Sequence, residues 1–397
     1  MAASPSAPPR IANIDALRGV AAFMVFVFHV QFFAGFDKRA LPPLTLFGHE
    51  FTSLPNPGSF GASGVNLFFV ISGFVLTHQR LQRLARGAEV PLGEYLRGRF
   101  ARITPPYWAA VFVALVSTSV LRHTFVPEGG ASLETDLASH LVFLHVFSRH
   151  TYLSLNSVLW SMGIEVQFYL AFPMLLIALR RAGPRRFAAA AFALALAWRY
   201  AMWLAFKDAP GGIGQISLAS LWMSQLPGRI PEFALGMVLA QLYASPAART
   251  AVARGAGLAA CAAFPIAAWG RAAGPPWAVD ALLGIFYACL FAWVVFPERA
   301  RLAPAWLTRF GVMSYSFFLI HEPVADWFGP PLGHLFKNPY LALVPVIGIC
   351  GVACVFVSAV FFRLVEEPAS RWSRAAAPRG SSLQAGIDVL PTTRGDA

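Results

Sequence analysis

The chain has 397 residues, 57% of them hydrophobic and only 13% charged, with a mean hydropathy of +0.58. That composition excludes an ordinary soluble domain and marks an integral membrane protein. The formal net charge of +12 requires no nucleic-acid partner: no separate basic domain with interleaved aromatics is left to form one, and membrane topology and anionic lipid headgroups account for the excess.

In chain order, the opening MAASPSAPPR is Pro/Ser/Ala-rich, and residues 1–11 are expected to be a disordered tail. A hydrophobic helix follows without a convincing cleavage site after it, which makes it a retained span rather than a signal peptide. Crossing about 30 Å of hydrocarbon takes about 20 mainly apolar residues. The sequence predicts spans near 14–34, 63–79, 104–121, 159–179, 187–206, 220–243, 255–270, 278–297, 311–328 and 341–362. The fold class is therefore all-α, a polytopic membrane protein of about ten helices in one membrane domain, 12–372, with a second disordered tail at 373–397. Ser72 and Gly73 interrupt the second span. SQLPGRIPEF breaks the sixth, where Arg229 and Glu232 at i+3 are expected to neutralise each other. Pro105 and Pro106 suit the first turn of the third. Between 122 and 158, LASHLVFLHVF is too short to span and suits a helix lying against the membrane or a cavity mouth. Cys261, Cys289, Cys350 and Cys354 lie in apolar runs without metal spacing, as small buried hydrophobes.

Basic residues accumulate in short cytoplasmic segments. With the N-terminus inside, 22 of the 31 Lys and Arg fall on the cytoplasmic side and seven outside. Both termini are expected in the cytoplasm.

Three stretches carry polar groups where lipid would penalise them. In NIDALRGVAAFMVFVFHVQFF, Arg18 and His29 are eleven positions apart, nearly the same helix face and about 16 Å along the axis, with Asp15 one turn before Arg18. A structural polar cluster would account for this face. So would a site in which His29 takes a proton from a hydroxyl. In LWSMGIEVQFYL, Glu165 lies a few residues into the fourth span with Tyr169 at i+4. Its depth matches that of His29, so that Glu165 could orient the ring and hold its tautomer, or serve packing alone. In EYLRGRFARITPPYW, Arg97, Arg99 and Arg102 either enforce topology or offer guanidinium forks to the phosphates of a nucleotide-containing donor. No GxGxxG or P-loop competes for that task. SYSFFLIHEPVADWF adds His321 and Glu322 within a span, as a polar site or as helix packing, and RLVEEPASRW ends the last span with a salt-bridged cap of Glu366, Glu367 and Arg371.

Taken together, IDALRGVAAFMVFVFH, NLFFVISGFVL, RGRFARITPPYW, WSMGIEVQFYL and SYSFFLIHEPV closely resemble the signatures of the acyltransferase 3 family of multispan membrane O-acyltransferases, over roughly 12–372. Gly98 and Val166 depart from it, where many relatives have an arginine and a second acidic residue, and the chain resembles the forms without an appended esterase-like domain. The resemblance implies transfer of an acyl group, most often acetyl, from acyl-CoA on the cytoplasmic side to a hydroxyl of a carbohydrate, glycolipid or small-molecule acceptor. No tightly bound cofactor is implied, and the location is a bacterial inner membrane. It implies His29 as general base, with Glu165, Arg18 and Asp15 in the reacting group, and Arg97, Arg99, Arg102, Tyr169 and His321 on the donor-binding side. Direct transfer is favoured over an acyl-histidine. A transporter or flippase, or a scaffold without activity, would be the competing classes.

Overall fold

The computed structural model describes residues 11–36, 44–46, 49–51, 57–87, 91–117, 131–210, 216–297, 303–335 and 339–375. Of the expected tails 1–11 and 373–397, residues 1–10 and 376–397 lie outside the described residues. The regular structure among the described residues is helical apart from a small antiparallel ribbon, β1 (Leu44–Leu46) and β2 (His49–Phe51), which pairs Thr45 with Glu50. The all-α class holds, with this ribbon as a minor addition.

The helices are α1 (Ala12–Phe33), α2 (Gly64–Ala85), α3 (Leu92–Leu115), α4 (Leu133–Leu141), α5 (Trp160–Phe206), α6 (Leu218–Met223), α7 (Leu226–Tyr243), α8 (Pro246–Ala273), α9 (Val279–Val295), α10 (Ala305–Val312), α11 (Ser314–His334), α12 (Pro339–Phe361) and α13 (Glu367–Ala375). A π-type turn, Phe362–Glu366, joins the last two. The expected spans overlap these helices, but 220–243 is divided between α6 and α7, 311–328 between α10 and α11, and residues 118–121 of the third lie outside the described residues. Among the described residues, five helical stretches are long and apolar enough to cross a membrane: Ala12–Phe33, Phe60–Ala85, Ser157–Phe206, Pro246–Ala273 and Leu343–Trp372. The protein is a helical membrane protein. α3, α7 and α11 fail that criterion because they carry the charges and histidines described below, and α9 has only 17 residues.

Two breaks have local causes. α5 is two rods meeting at Gly183, whose φ of 76° is one that side chains rarely adopt, with Pro184 next. Of the SQLPGRIPEF interruption only Ser224 and Gln225 form a turn, between α6 and α7; the rest is helical from Leu226, with one proline in the first turn of α7 and Pro231 inside it.

The third expected span differs. α3 begins at Leu92, so the three arginines sit on the helix, and Pro105 and Pro106 are interior rather than in the first turn. The helix runs through because each proline removes only its own donor, freeing the carbonyls of Ala101 and Arg102 from the ladder.

α2 is the central helix: 72% of its apolar stretch is buried, against 17% for α8. It crosses α7 backbone to backbone. A Cβ on Gly73 would collide with the Phe233 carbonyl, and one on Gly236 with that of Val70, the small-residue contact that membrane helices use for close approach. α8 and α12 turn Leu258, Phe264, Val352 and Phe356 outward, as lipid-facing helices do. Cys350 and Cys354 are buried as expected, but Cys261 is exposed on α8 and Cys289 half-buried. α4 and the following 3-10 turn, His145–Phe147, form the short helical stretch expected outside the spans, with Val142, Leu144 and Phe147 exposed.

Candidate active site

His29 comes from the last two turns of α1 and is 8% exposed. Its Nδ1 lies 2.9 Å from the Val25 carbonyl one turn back and 3.2 Å from Nε2 of His321 on α11. The other ring nitrogen, Nε2, is 3.4 Å from Ser157 Oγ and 3.7 Å from Glu322 Oε2.

Glu322 is positioned by the chain that enters α5. The amides of Ser157 and Val158 donate to its two oxygens at 2.8 and 3.0 Å, and Ser157 Oγ donates to Oε2 at 2.8 Å. These amides are the unsatisfied donors of a starting helix, where a carboxylate is well placed. Asn156 completes the clamp, accepting from Val158 N and donating to the Leu319 carbonyl at 2.9 Å.

The carboxylate beside His29 is thus Glu322. Glu165, expected to orient the ring, faces elsewhere: its Oε1 accepts from Tyr169 Oη at 2.7 Å and from Ser72 Oγ at 3.1 Å. Matching depths did not make these two helices present the two groups to each other. His321, placed by sequence on the donor side, instead packs fully buried against His29, their ring centroids 5.1 Å apart.

Glu165 and Tyr169 belong to a cavity whose polar lining includes Arg18, Arg99, Arg102 and Ser72. Arg99 donates to Gln79 Oε1 at 2.9 Å and lies over the Tyr95 ring. Arg102 is exposed, as befits a mouth residue, and Arg97 is exposed and outside the lining. Asp15 and Glu366 bring negative charge to Arg18, and Arg102 brings positive. Three guanidinium groups around one opening suit a polyanion.

The apolar walls are Phe68, Phe69, Tyr315 and Phe318. Ser161 and Met162 also line the cavity. Phe318 packs on His321, and Ser157 stands one turn before Ser161. His29 lies behind this wall and does not itself line the cavity.

Glu366 was expected in a surface cap. It is buried and accepts from both Ser316 N and Ser316 Oγ at the start of α11, because the π-type turn swings it inward, while Glu367 alone pairs with Arg371 at 2.8 Å. Arg229 does pair with Glu232, at 3.2 Å, within a larger buried network. Asp280 bridges Arg229 and Arg199 at 2.5 and 2.7 Å, and Asn66 donates to both carboxylates. Among the described residues no cluster of His, Cys, Asp and Glu is arranged to hold a metal ion. Sequence reasoning passed over Ser157 and the Ser72 contact. NSVLW carries no signal of its own, since Ser157 matters only through what α11 brings to it.

The profile of the Acyltransferase domain family (acyltransferase 3) matches residues 11–363. The chain is 29% identical to the acyltransferase MdmB of Streptomyces mycarofaciens, over 97% of this chain and 98% of that one. It is also 25% identical to the peptidoglycan O-acetyltransferase OatA of Listeria monocytogenes over 42% of its length, and 30% identical to the O-acetyltransferase OatA of Staphylococcus aureus over 35%. Both of these matches span 24% of the relative's own length. No solved structure matches the chain.

Proposed function

From the premise that the chain belongs to the acyltransferase 3 family and is a membrane O-acyltransferase, we propose that it moves an acyl group, acetyl in the first instance, from acyl-CoA to a hydroxyl of a carbohydrate or related acceptor. The observation that carries this reading is the placement of His29 Nε2 beside Glu322 and Ser157, with His321 packed between His29 and Phe318, a wall of the arginine-lined cavity.

The donor enters by the arginine side. Arg18, Arg99 and Arg102 take the phosphates and ribose-linked anion of CoA. The narrow polar strip of Ser72, Glu165 and Tyr169 takes the amides of the pantetheine arm, and the aromatic walls exclude water. Arg18 and His29 are separated by about 16 Å of α1, a span that an extended arm bridges. Asp15 balances Arg18.

In the transfer step, His29 Nε2 accepts the proton of the acceptor hydroxyl as its oxygen attacks the thioester carbonyl. Glu322 faces the imidazolium that forms and stabilises it. The C–O bond forms, the C–S bond breaks, and the proton passes from His29 to the departing sulfur. No covalent enzyme intermediate is required. Cytoplasmic donor entry follows from the topology favoured by the basic residues: ten spans, both termini inside, in a bacterial inner membrane, with 1–11 and 373–397 as tails. The acceptor reaches His29 from the opposite face.

The test is purified protein in lipid nanodiscs given acetyl-CoA and a panel of sugar oligomers, with free thiol and acetylated product measured together. Acceptor-dependent CoA release that vanishes in His29→Ala supports the reading. A transporter would accumulate substrate in vesicles without any change in its mass.

A further inference from the structure

His321 is completely buried, one residue before Glu322 on α11. Its Nδ1 lies 3.1 Å from the Phe317 carbonyl. A carbonyl only accepts, so Nδ1 carries the hydrogen, and in the neutral ring Nε2 is left as a lone pair. That lone pair faces His29 Nδ1 at 3.2 Å. At His29, Nδ1 stands 2.9 Å from the Val25 carbonyl, a weak competitor for its hydrogen because that oxygen already serves the α1 ladder; with the His321 lone pair beside it as second acceptor, Nδ1 is the protonated nitrogen. The hydrogen is shared between an oxygen already engaged in the α1 ladder and an imidazole nitrogen with no other donor to receive from among the described residues. Two carbonyls and one ring thus orient both imidazoles in the same sense, and the lone pair of His29 emerges at Nε2.

His321 is held rigidly enough to do this. Its ring stacks on Phe317 at a 13° interplanar angle, meets Phe26 edge-on and leans on Phe318. Cys354 points its thiol at the His321 carbonyl.

We propose that His321 is the positioning residue of this site: it keeps the hydrogen of His29 on Nδ1, so that Nε2 meets the acceptor hydroxyl in the niche bounded by Ser157 and Glu322. The inference rests on His29 acting as the base and adds which nitrogen does the work, what fixes it, and where the acceptor oxygen sits. It takes His321 out of donor binding.

The experiment compares wild type with His321→Gln, His321→Leu and His29→Ala in nanodiscs. Gln places an amide oxygen near the position of the lost Nε2, whereas Leu fills the space and accepts nothing. Histidine 15N spectra of the labelled protein, assigned by the signal lost in His29→Ala, need no acceptor. The expected result is a single Nδ1–H population for His29 in wild type and His321→Gln and a mixed one in His321→Leu. With acetyl-CoA and the sugar acceptor found by the panel above, kcat in His321→Leu should fall about ten- to a hundredfold, part of the roughly 10²–10⁴ that a general base supplies, with the KM for acetyl-CoA unchanged and most of kcat restored in His321→Gln. Equal losses in Gln and Leu, an unchanged His29 spectrum in Leu, or an Nε2–H population in wild type would each overturn the proposal. If wild type releases no CoA with any acceptor, the functional reading fails instead, and the spectra still report on the tautomer. Thermal unfolding of each variant in detergent identifies any that is misfolded, and a misfolded Leu variant is replaced by His321→Met, which carries the same expectations.

Discussion

Glu322 Oε2 stands 3.7 Å from His29 Nε2 while accepting hydrogen bonds from Ser157 Oγ and Val158 N. The carboxylate is therefore oriented by its own clamp and does not depend on His29 for its position. Glu322→Gln preserves the shape but removes the charge that would face an imidazolium. The expected outcome is a fall in kcat of roughly ten- to a hundredfold, corresponding to the ~1.5–3 kcal/mol of a charge-assisted hydrogen bond, with little change in the KM for acetyl-CoA. Steady-state kinetics at fixed acceptor concentration check this. Glu322→Ala should cost stability as well, because the Ser157 and Val158 amides lose their acceptor.

The arginines divide by position. Arg18, Arg99 and Arg102 line the cavity, and Arg97, on the same helix as two of them, does not. Replacing any of the three by Gln should raise the KM for acetyl-CoA about tenfold or more, again on the scale of one charge-assisted bond. Arg97→Gln should leave it within about twofold, as for an exposed charge. Measuring KM for the four single variants decides whether the cavity holds the donor. Equal effects at all four would mean that net positive charge, rather than this lining, draws the donor in.

Ser157 Oγ lies within 3.4 Å of His29 Nε2, at the edge of the space an acceptor oxygen needs. Ser157→Val adds bulk there without touching the arginine cavity. Acceptor KM should rise steeply, with the binding of acetyl-CoA, followed by calorimetry, unchanged. Loss of donor binding in this variant would show that the niche and the cavity are one site.

Much of this arrangement was legible from residue spacing, and the parts that were not share a cause. The eleven-residue interval put Arg18 and His29 on one face of α1, and the structure keeps both pointed inward, Arg18 to the cavity and His29 to α11. Helical period fixes such relations within one element. It does not say which neighbour that face meets. Glu165 and Glu322 were both intramembrane carboxylates, and only the packing of α11 and residues 156–159 against α1 made Glu322 the partner. The same holds for Arg229, where i+3 spacing revealed Glu232 but not Asp280 or Arg199, which arrive from other helices. The proline pair misled for a different reason: local propensity placed it at a helix start, and tertiary packing carried the helix through it.

The crossing of α2 and α7 supplies the last prediction. Gly73 and Gly236 let the two backbones touch, and a methyl at either would meet a carbonyl oxygen rather than a yielding side chain. Relief therefore requires the helices to separate, and α2 carries Ser72 and several walls of the cavity. Gly73→Ala should destabilise the protein by about 1–3 kcal/mol, the cost of overpacking a tight core, even though Ala is the better helix former. Gly93→Ala, on the open start of α3 with nothing within 4 Å, should be neutral or slightly stabilising. Thermal unfolding in detergent compares the two. If Gly73→Ala unfolds at or above the wild-type temperature, as Gly93→Ala is expected to, the close approach of α2 and α7 is absent from the protein in solution.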